Sequence, residues 1–238
     1  MTRILAVSPH LDDAVFSAGG TLAGHAMAGD DVTVLTCFTG NVEQPTGFAL
    51  ACQLDKGLAP DVDYMALRRE EDLAACRVLN AREVHLPFLE APHRGYDSAA
   101  ALFEGARVDD EILEPLIAAI QQTVREMSPD IVYGPIGVGG HVDHILVRNA
   151  LERVVSDVIL WEDFPYSMRD TGPREPGLRD TGQLQDLDRR VIGTEALEAK
   201  YRAASCYTTQ IGFQFGSLDR LREIIDAQPT EAFLRPPP

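Results

Sequence analysis

Two short segments of the sequence each place histidine and aspartate side chains a few residues apart. The first is Pro-His-Leu-Asp-Asp at positions 9–13, and the second is His-Val-Asp-His at positions 141–144. Imidazole nitrogens and carboxylate oxygens are ligands that zinc prefers, and catalytic zinc sites commonly combine three protein ligands with a water. The two segments are therefore candidates for one metal site of a hydrolase, provided that the fold brings them together.

Strand and helix patterns alternate along the chain. Runs rich in aliphatic and β-branched residues predict strands at 4–7, 31–38, 83–88, 130–133 and 157–161. Periodic apolar residues predict helices at 14–28, 64–79 and 109–127, and a further helix that begins near Asp143. This alternation predicts a single α/β domain over 1–238 with a Rossmann-like architecture, in which a mostly parallel sheet carries helices on both faces.

Both His/Asp segments follow a predicted strand directly, and sites in such sheets form at the carboxyl ends of strands. His10 and Asp13 lie three residues apart across a strand-to-helix turn, where both side chains can converge on one point. His144 can supply a third ligand from a second turn of the same kind. We predict a zinc site, with Fe²⁺ or another divalent ion as an alternative because such ligand sets are not strictly selective.

The remaining polar residues of the two segments can move protons and stabilise charge. Asp12 adjoins Asp13, and a second carboxylate beside the metal is what a general base requires. His141, one helical turn before His144, can polarise a carbonyl or protonate a leaving group. Asp143 can accept a hydrogen bond from a histidine and fix its tautomer. We therefore predict catalytic roles for Asp12, His141 and Asp143.

Each of these patterns also has a simpler interpretation. Asp12 and Asp13 can cap the helix that follows, and Asp143 can cap the next one, because carboxylates favour helix N-termini. The glycine-rich run at 137–140 is either a flexible turn or a weak phosphate loop. It lacks the Gly-Lys-Ser/Thr of a P-loop and the spacing of a dinucleotide fingerprint.

The motifs together resemble those of the PIG-L/LmbE-like family of zinc-dependent N-deacetylases. That family has an Ala/Pro-His-Pro-Asp-Asp-Glu segment after the first strand, matched here at 9–14, and a His-x-Asp-His segment, matched at 141–144. A third signature resembles Arg-Arg-Glu-Glu at 68–71, followed by Ala75, Leu79 and Asn80. Leu11, Ala14 and Asn80 depart from the family pattern, which has proline, glutamate and glycine at these places.

The resemblance implies hydrolysis of an N-acyl amide, an acetamide in the simplest case, on an amino sugar or sugar conjugate. It implies that His10, Asp13 and His144 bind zinc. It implies that Asp12 is the general base and that His141 faces the oxyanion or the leaving amine.

Substrate contacts are predicted for Arg68, His93 and Arg94. Arg68 matches an arginine that contacts the sugar in some members of the family, and His93 stands where the family often has a substrate-binding aspartate. Arg94 follows in the same loop and can bind hydroxyls or an acidic group. The histidine at position 93, in place of the aspartate of the family, argues against the simplest form of N-acetylglucosamine recognition.

Four stretches carry no clear secondary-structure pattern. Residues 41–63 and 91–107 are predicted to be loops that flank the site. Residues 167–190, which are rich in Asp, Arg, Gly and Pro, are predicted to form a mobile flap. The tail at 235–238 ends in three prolines and is predicted to be frayed.

Composition limits the partners that the protein can have. The 238 residues carry a formal net charge of -16, which disfavours nucleic acid and anionic membrane surfaces. The four cysteines are scattered and form no metal-binding pair. No signal peptide or membrane span is evident, so we predict a cytoplasmic enzyme. The family resemblance implies a small-molecule N-acylated amino sugar as its substrate. A homo-oligomer is compatible with the sequence.

Two rival functions are compatible with the same motifs. The first is an amidase that uses the same metal site to cleave a thiol-sugar conjugate. The second belongs to another class, a metal-free Rossmann-like module that binds a nucleotide or a sugar. Metal analysis of the purified protein separates the second rival from the hydrolases.

Overall fold

The computed structural model describes residues 1–168 and 187–234. The strands are Arg3–Ser8 (β1), Asp31–Thr36 (β2), Arg82–His85 (β3), Ile131–Pro135 (β4), Ile159–Trp161 (β5), Asp188–Val191 (β6) and Thr230–Leu234 (β7). The helices are Asp13–Met27 (α1), Gly47–Leu54 (α2), Tyr64–Leu79 (α3), Leu113–Met127 (α4), Val142–Val154 (α5), Thr194–Ala204 (α6), Thr208–Phe215 (α7) and Leu218–Ala227 (α8).

The strands form one sheet in the order β3-β2-β1-β4-β5-β7-β6. The first five strands in this order are parallel, and β1 lies between β2 and β4, with Leu5 opposite Thr33 on one side and Val132 on the other. The last two strands, β7 and β6, extend the sheet in antiparallel pairs. The predicted Rossmann-like α/β class is confirmed, whereas the two antiparallel strands were not predicted.

Helices cover both faces of this sheet. Ile4 and Ala6 of β1 pack with the apolar residues of α1, α3 and α6, whereas Leu5 and Val7 pack with those of α4 and α5. A strand that is buried on both faces needs a continuous apolar run, as β1 has from Ile4 to Val7. The carboxyl ends of β1, β4 and β5 consequently open at one edge of the sheet, where the segments after them meet.

Several predicted boundaries differ from the structure. The helix predicted at 109–127 begins at Leu113, and the stretch 41–63 contains the helix α2. Of the flap predicted at 167–190, residues 169–186 lie outside the described residues, and 188–190 belong to the strand β6. The tail at 235–238 also lies outside the described residues.

Helix α3 buries a different face from the one that hydrophobicity indicates. The apolar Leu67 is 41% exposed, whereas Arg68 and Asp72 are buried. Both buried groups have polar partners elsewhere in the chain: Arg68 pairs with Glu90, and Asp72 Oδ2 lies 2.8 Å from His85 Nε2. These tertiary contacts allow α3 to bury two polar side chains beside the apolar residues of its buried face. In the described parts of the chain, no helix has the length and apolar character that a bilayer span requires.

A buried carboxylate joins the antiparallel edge of the sheet to α1. The side chain of Glu231 accepts hydrogen bonds from the backbone N–H of Gly20 (2.8 Å) and from the N–H and hydroxyl of Thr21 (2.8 and 2.6 Å). It also pairs with the Lys200 ammonium at 2.7 Å. These four contacts satisfy a charge that would otherwise be costly to bury.

Replacing Glu231 by alanine is expected to lower the free energy of unfolding by about 3–5 kcal/mol, because the Lys200 ammonium would be left buried without a partner. Urea denaturation followed by circular dichroism measures this change. The control is Glu223→Ala on α8, whose carboxylate is exposed and forms a surface ion pair. That substitution should change stability by less than about 1 kcal/mol. Equal effects of the two substitutions would contradict the assigned role of Glu231.

Candidate metal centre and active site

The turn between β1 and α1 is fixed by hydrogen bonds among its own residues. The Ser8 hydroxyl donates to the carbonyl oxygen of His10 (2.7 Å) and accepts from the N–H of Ala14 (3.0 Å). Asp13 Oδ2 accepts from the backbone N–H of His10 at 2.9 Å. The Asp12 side chain makes no capping hydrogen bond to α1. The simpler interpretation of Asp12 as a helix cap is therefore set aside, because the Ser8 hydroxyl binds the first turn instead.

Three side chains from the two predicted segments meet at the carboxyl ends of β1 and β4. Asp13 Oδ2 lies 3.0 Å from His10 Nδ1 and 3.2 Å from His144 Nε2. All three side chains are largely buried, and one ligand atom from each can be chosen so that the three lie within 4.8 Å of one another. His144 Nε2 has no hydrogen-bond partner of acceptable geometry within residues 1–168 and 187–234. Two nitrogens and one carboxylate oxygen so arranged fit a divalent metal ion.

A second carboxylate lies behind each histidine of this cluster. His10 Nε2 is 3.0 Å from Asp143 Oδ2, and His144 Nδ1 is 2.7 Å from Asp163 Oδ1. When each of these nitrogens carries the proton, the opposite nitrogen presents its lone pair towards Asp13. Carboxylates in this position fix the tautomer of a metal-binding histidine and strengthen it as a ligand.

Asp163 is the functional candidate that the sequence analysis missed. It lies two residues beyond β5, at the same edge of the sheet as the two motifs. Its Oδ2 accepts hydrogen bonds from the backbone N–H groups of Gly137 (2.7 Å) and Val138 (2.8 Å). The sequence feature that could have identified it is an aspartate two residues after a predicted strand. The glycine-rich run is therefore a turn that holds Asp163, and Gly137 suits it because its φ of +87° is strained for other residues.

Asp143 is fully buried and has partners on three sides. Besides His10, it accepts hydrogen bonds from the N–H of Ala91 (3.0 Å) and from Arg94 Nη2 (2.8 Å). Burial alone would raise the pKa of Asp143, but the hydrogen bond from His10 and the charge of Arg94 outweigh it and lower the pKa well below its usual range. Asp143 is therefore an anion that orients His10, and it is not the cap of α5.

Arg94 does not line the cavity described below, in contrast to the sequence-based prediction of a substrate contact. Its guanidinium bonds to Asp143 and, at 3.0 Å, to Asp110, and it lies 4.8 Å from the centre of the Phe38 ring. Two buried carboxylates hold this cation behind the metal cluster because an unpaired charge there would be costly. The structure corrects the prediction: Arg94 positions Asp143.

His141 is the cap of α5, and this contact defines its chemistry. Its Nδ1 accepts a hydrogen bond from the N–H of Asp143 at 3.2 Å, so the neutral ring carries its proton on Nε2. Burial is the main cause that lowers the pKa of His141 to about 3, although the charge of Asp143 opposes it. The ring packs edge-on to His10 with 5.1 Å between centroids. His141 is thus a neutral N–H donor beside the metal cluster.

Asp12 directly precedes Asp13 of this cluster and is also buried. Its Oδ2 lies 3.5 Å from Arg68 Nη2, and Arg68 also pairs with Glu90. Burial and the negative charge of Asp13 raise the pKa of Asp12 to about 7, against the opposing charge of Arg68. A carboxylate in this environment can both accept and return a proton near neutral pH.

A cavity of about 310 Å³ opens over these groups. Its floor includes His10, Asp12, Asp13, His141 and Asp143. Both predicted site-flanking loops contribute to its walls, with Phe48 and Lys56 from the first and His93 and Phe103 from the second. The volume is typical of a pocket for a small molecule. Of the predicted substrate contacts, Arg68 and His93 line this cavity, and His93 is half-buried there.

The C-terminal part of the chain closes one wall of the cavity. Gln210 and Phe213 of α7 line it. Glu71 of α3 anchors the start of α7, because its carboxylate accepts hydrogen bonds from both Thr208 and Thr209, including the N–H of Thr209 at 2.8 Å. The sequence patterns had predicted no helix for this region.

The fold and the site together define a class: a Rossmann-like α/β protein with a buried histidine–aspartate cluster, whose donor set fits a divalent metal, at a small-molecule cavity. Residues 5–155 match the family model described as PIG-L, GlcNAc-PI de-N-acetylase. The chain belongs to the PIG-L family, as the motifs predicted.

Several relatives of this chain are deacetylases. It is 36% identical over 188 residues to 2'-N-acetylparomamine deacetylase of Streptomyces fradiae, which covers 76% of this chain and 64% of that protein. It is 30% identical to 1D-myo-inositol 2-acetamido-2-deoxy-alpha-D-glucopyranoside deacetylase of Rhodococcus erythropolis. The aligned region covers 88% of this chain and 81% of that protein. Among solved structures, the zinc-inhibited form of teicoplanin deacetylase Orf2 matches with a TM-score of 0.78 and 28% identity over 99% of both chains.

Proposed function

We propose that this protein is a metal-dependent hydrolase that removes an N-acyl group, in the simplest case acetyl, from an amino sugar or an amino-sugar conjugate. One observation carries the proposal: a buried His10–Asp13–His144 cluster, in which His144 Nε2 makes no well-formed hydrogen bond to the described residues, lies beside the Asp12 carboxylate at the floor of a small-molecule cavity. The names of the relatives support the same reaction class, since these proteins are deacetylases of N-acetylated sugars.

We infer that His10, Asp13 and His144 hold the metal. The donor set fits zinc, with Fe²⁺ as the alternative. The zinc-inhibited form of a structural relative supports the binding of a divalent metal in this fold. When bound, a divalent ion supplies a Lewis acid that polarises a carbonyl and lowers the pKa of water. Asp143 and Asp163 then hold the two histidines in the tautomers that face it.

The remaining residues perform the proton transfers of amide hydrolysis. Asp12 accepts a proton from the water that attacks the carbonyl carbon. His141 donates its Nε2 hydrogen bond to the carbonyl oxygen as this oxygen becomes negative. Asp12 then returns the proton to the amine nitrogen as the C–N bond breaks, which leaves a carboxylic acid and a free amine. Arg68 holds Asp12 in place through its ion pair and, with His93, binds the sugar.

The proposal is tested by incubating the purified protein with N-acetylated amino sugars and measuring acetate and free amine. Elemental analysis of the same preparation gives its metal content, and chelation followed by re-addition of zinc tests the metal requirement. Release of an N-acyl-cysteine conjugate instead of acetate would favour the rival amidase. Binding of a sugar or nucleotide with neither metal nor hydrolysis would favour the rival binding module.

Replacing Asp163 by asparagine is expected to weaken zinc binding by about 10- to 100-fold, because the amide no longer supplies the charge that strengthens His144 as a ligand. Competition with a zinc chelator measures the affinity. Asp30→Asn is a matched control, since Asp30 pairs with His25 at 2.9 Å outside the cavity and should not influence zinc. Unchanged affinity in the Asp163 variant would contradict the assigned role.

Four further predictions from the sequence stay predictions. These are the cytoplasmic location, the lack of nucleic-acid partners, the possibility of a homo-oligomer and the extent of the single domain over 1–238.

A further inference from the structure

Lys56 occupies the wall of the same cavity, just after α2. Its Nζ donates a hydrogen bond to the carbonyl oxygen of Cys52 at 3.0 Å. The ammonium also lies 4.7 Å from the centre of the Phe213 ring and 5.5 Å from that of Tyr64. One backbone bond and two aromatic faces therefore fix a flexible side chain at a defined place in the wall.

The charge of Lys56 has no carboxylate partner within ion-pair distance in the described part of the chain. By contrast, the neighbouring cation Arg68 pairs with Asp12 and Glu90. Asp55 also lines the cavity, but its side chain is exposed to water and makes no ion pair with Lys56. An ammonium has three N–H donors, and the backbone of Cys52 takes only one.

The surroundings of Lys56 favour a ligand over water. The side chain is half-buried, and burial together with the charge of Arg68 lowers its pKa. An ammonium that has lost part of its hydration gains more from a negatively charged oxygen than an exposed one does. Since Lys56 and Asp12 line the same cavity of about 310 Å³, a substrate that fills the cavity contacts both.

We propose that Lys56 forms an anion subsite of the cavity, which binds a carboxylate or phosphate substituent on the amino-sugar substrate. This inference rests on the proposed function and specifies its substrate class. The net charge of -16 repels anions over long distances, but salt screens that repulsion, whereas a contact with a half-buried ammonium is screened much less. The preference for an anionic sugar therefore holds at physiological salt.

Binding of three sugars tests the proposal. The probes are N-acetylglucosamine, its 6-phosphate, and N-acetylmuramic acid, which carries a carboxylate at another ring position. Calorimetry with the metal-containing protein in about 0.15 M salt should show that at least one anionic sugar binds about 10- to 100-fold more tightly than the neutral one. The anionic sugar that binds more tightly shows whether Lys56 prefers a phosphate or a carboxylate. Equal affinity for all three sugars would overturn the proposal.

Variants assign the preference to the ammonium. Lys56→Met keeps the apolar stem but should abolish the preference, and Lys56→Arg should retain part of it. The matched control is Arg153→Met, which removes one positive charge from an exposed site on α5 and should leave the preference intact. A preference that survives in the Lys56→Met variant would exclude Lys56 as its source.

A labelling experiment on the unmodified protein gives a second measurement that does not depend on a variant. The sequence contains only two lysines, and the other, Lys200, is buried in its ion pair with Glu231. Acylation of Lys56, followed by mass spectrometry, should be slowed by the anionic sugar more than by the neutral one. Equal protection by both sugars would count against the subsite.

The outcomes also separate this inference from the proposed function. An anion preference that depends on Lys56, with no acetate released from any of the three sugars, would contradict only the hydrolase proposal. Acetate release without an anion preference would contradict only the subsite.

Discussion

Replacing Asp12 by asparagine should lower kcat for acetate release by at least about 100-fold, because the amide cannot accept the proton of the attacking water. The substituted side chain would keep the shape of the aspartate and its contact with Arg68. The zinc content should stay unchanged, since Asp12 lies outside the cluster of His10, Asp13 and His144. Initial rates and elemental analysis of the same preparation measure both quantities.

The control for this prediction is Glu90→Gln. Glu90 also lines the cavity and pairs with Arg68, but it does not reach the metal cluster directly. This variant should lose less activity than the Asp12 variant, because it changes the charge and the arginine beside Asp12 but leaves the carboxylate that accepts the proton. Full turnover by the Asp12→Asn protein would contradict the assignment of the general base.

Replacing His144 by alanine is expected to abolish zinc binding and with it the hydrolysis. Loss of a carboxylate behind a ligand weakens metal binding by about 10- to 100-fold. Loss of a direct ligand should weaken zinc binding by more than that. The metal content after dialysis and the rate of acetate release measure the two effects. His25→Ala is the control, because His25 also bonds to an aspartate but lies outside the cavity.

Removal of His144 also affects folding, and the two effects are separable. Asp163 would lose the hydrogen bond from the imidazole and keep only those from Gly137 and Val138, which costs about 1–3 kcal/mol. His144→Gln retains an N–H donor near Asp163 and should fold better, yet it lacks the imidazole that binds zinc. A folded His144→Gln protein that keeps zinc as tightly as the unmodified protein would contradict the proposed ligand set.

The metal cluster was predictable because its parts are local. His10 and Asp13 share one turn after β1, His144 follows β4, and parallel strands bring their carboxyl ends to one edge. The same rule could have pointed to Asp163 after β5. Arg94 was placed wrongly because its partners, Asp110 and Asp143, lie 16 and 49 residues away along the chain.

The environment of Lys56 depends on contacts that sequence patterns do not encode. Its aromatic neighbours come from α3 and α7, and α7 reaches the cavity because Glu71 anchors its first residues. Neither Lys56 nor its aromatic neighbours belong to a motif. A periodic pattern shows which face of a helix is apolar, but it does not show which distant helix that face meets.

The sequence by itself determined the alternation of strands and helices, the edge of the sheet where the site lies, and the histidines and aspartates of the cluster. These features depend on local periodicity and on short motifs at strand ends. Only the tertiary structure decided which carboxylate supports each histidine, that Arg94 lies behind the site, and that Lys56 lines the cavity without a carboxylate partner among the described residues. Buried charges take their partners from whichever elements pack against them, and that packing is a property of the whole chain.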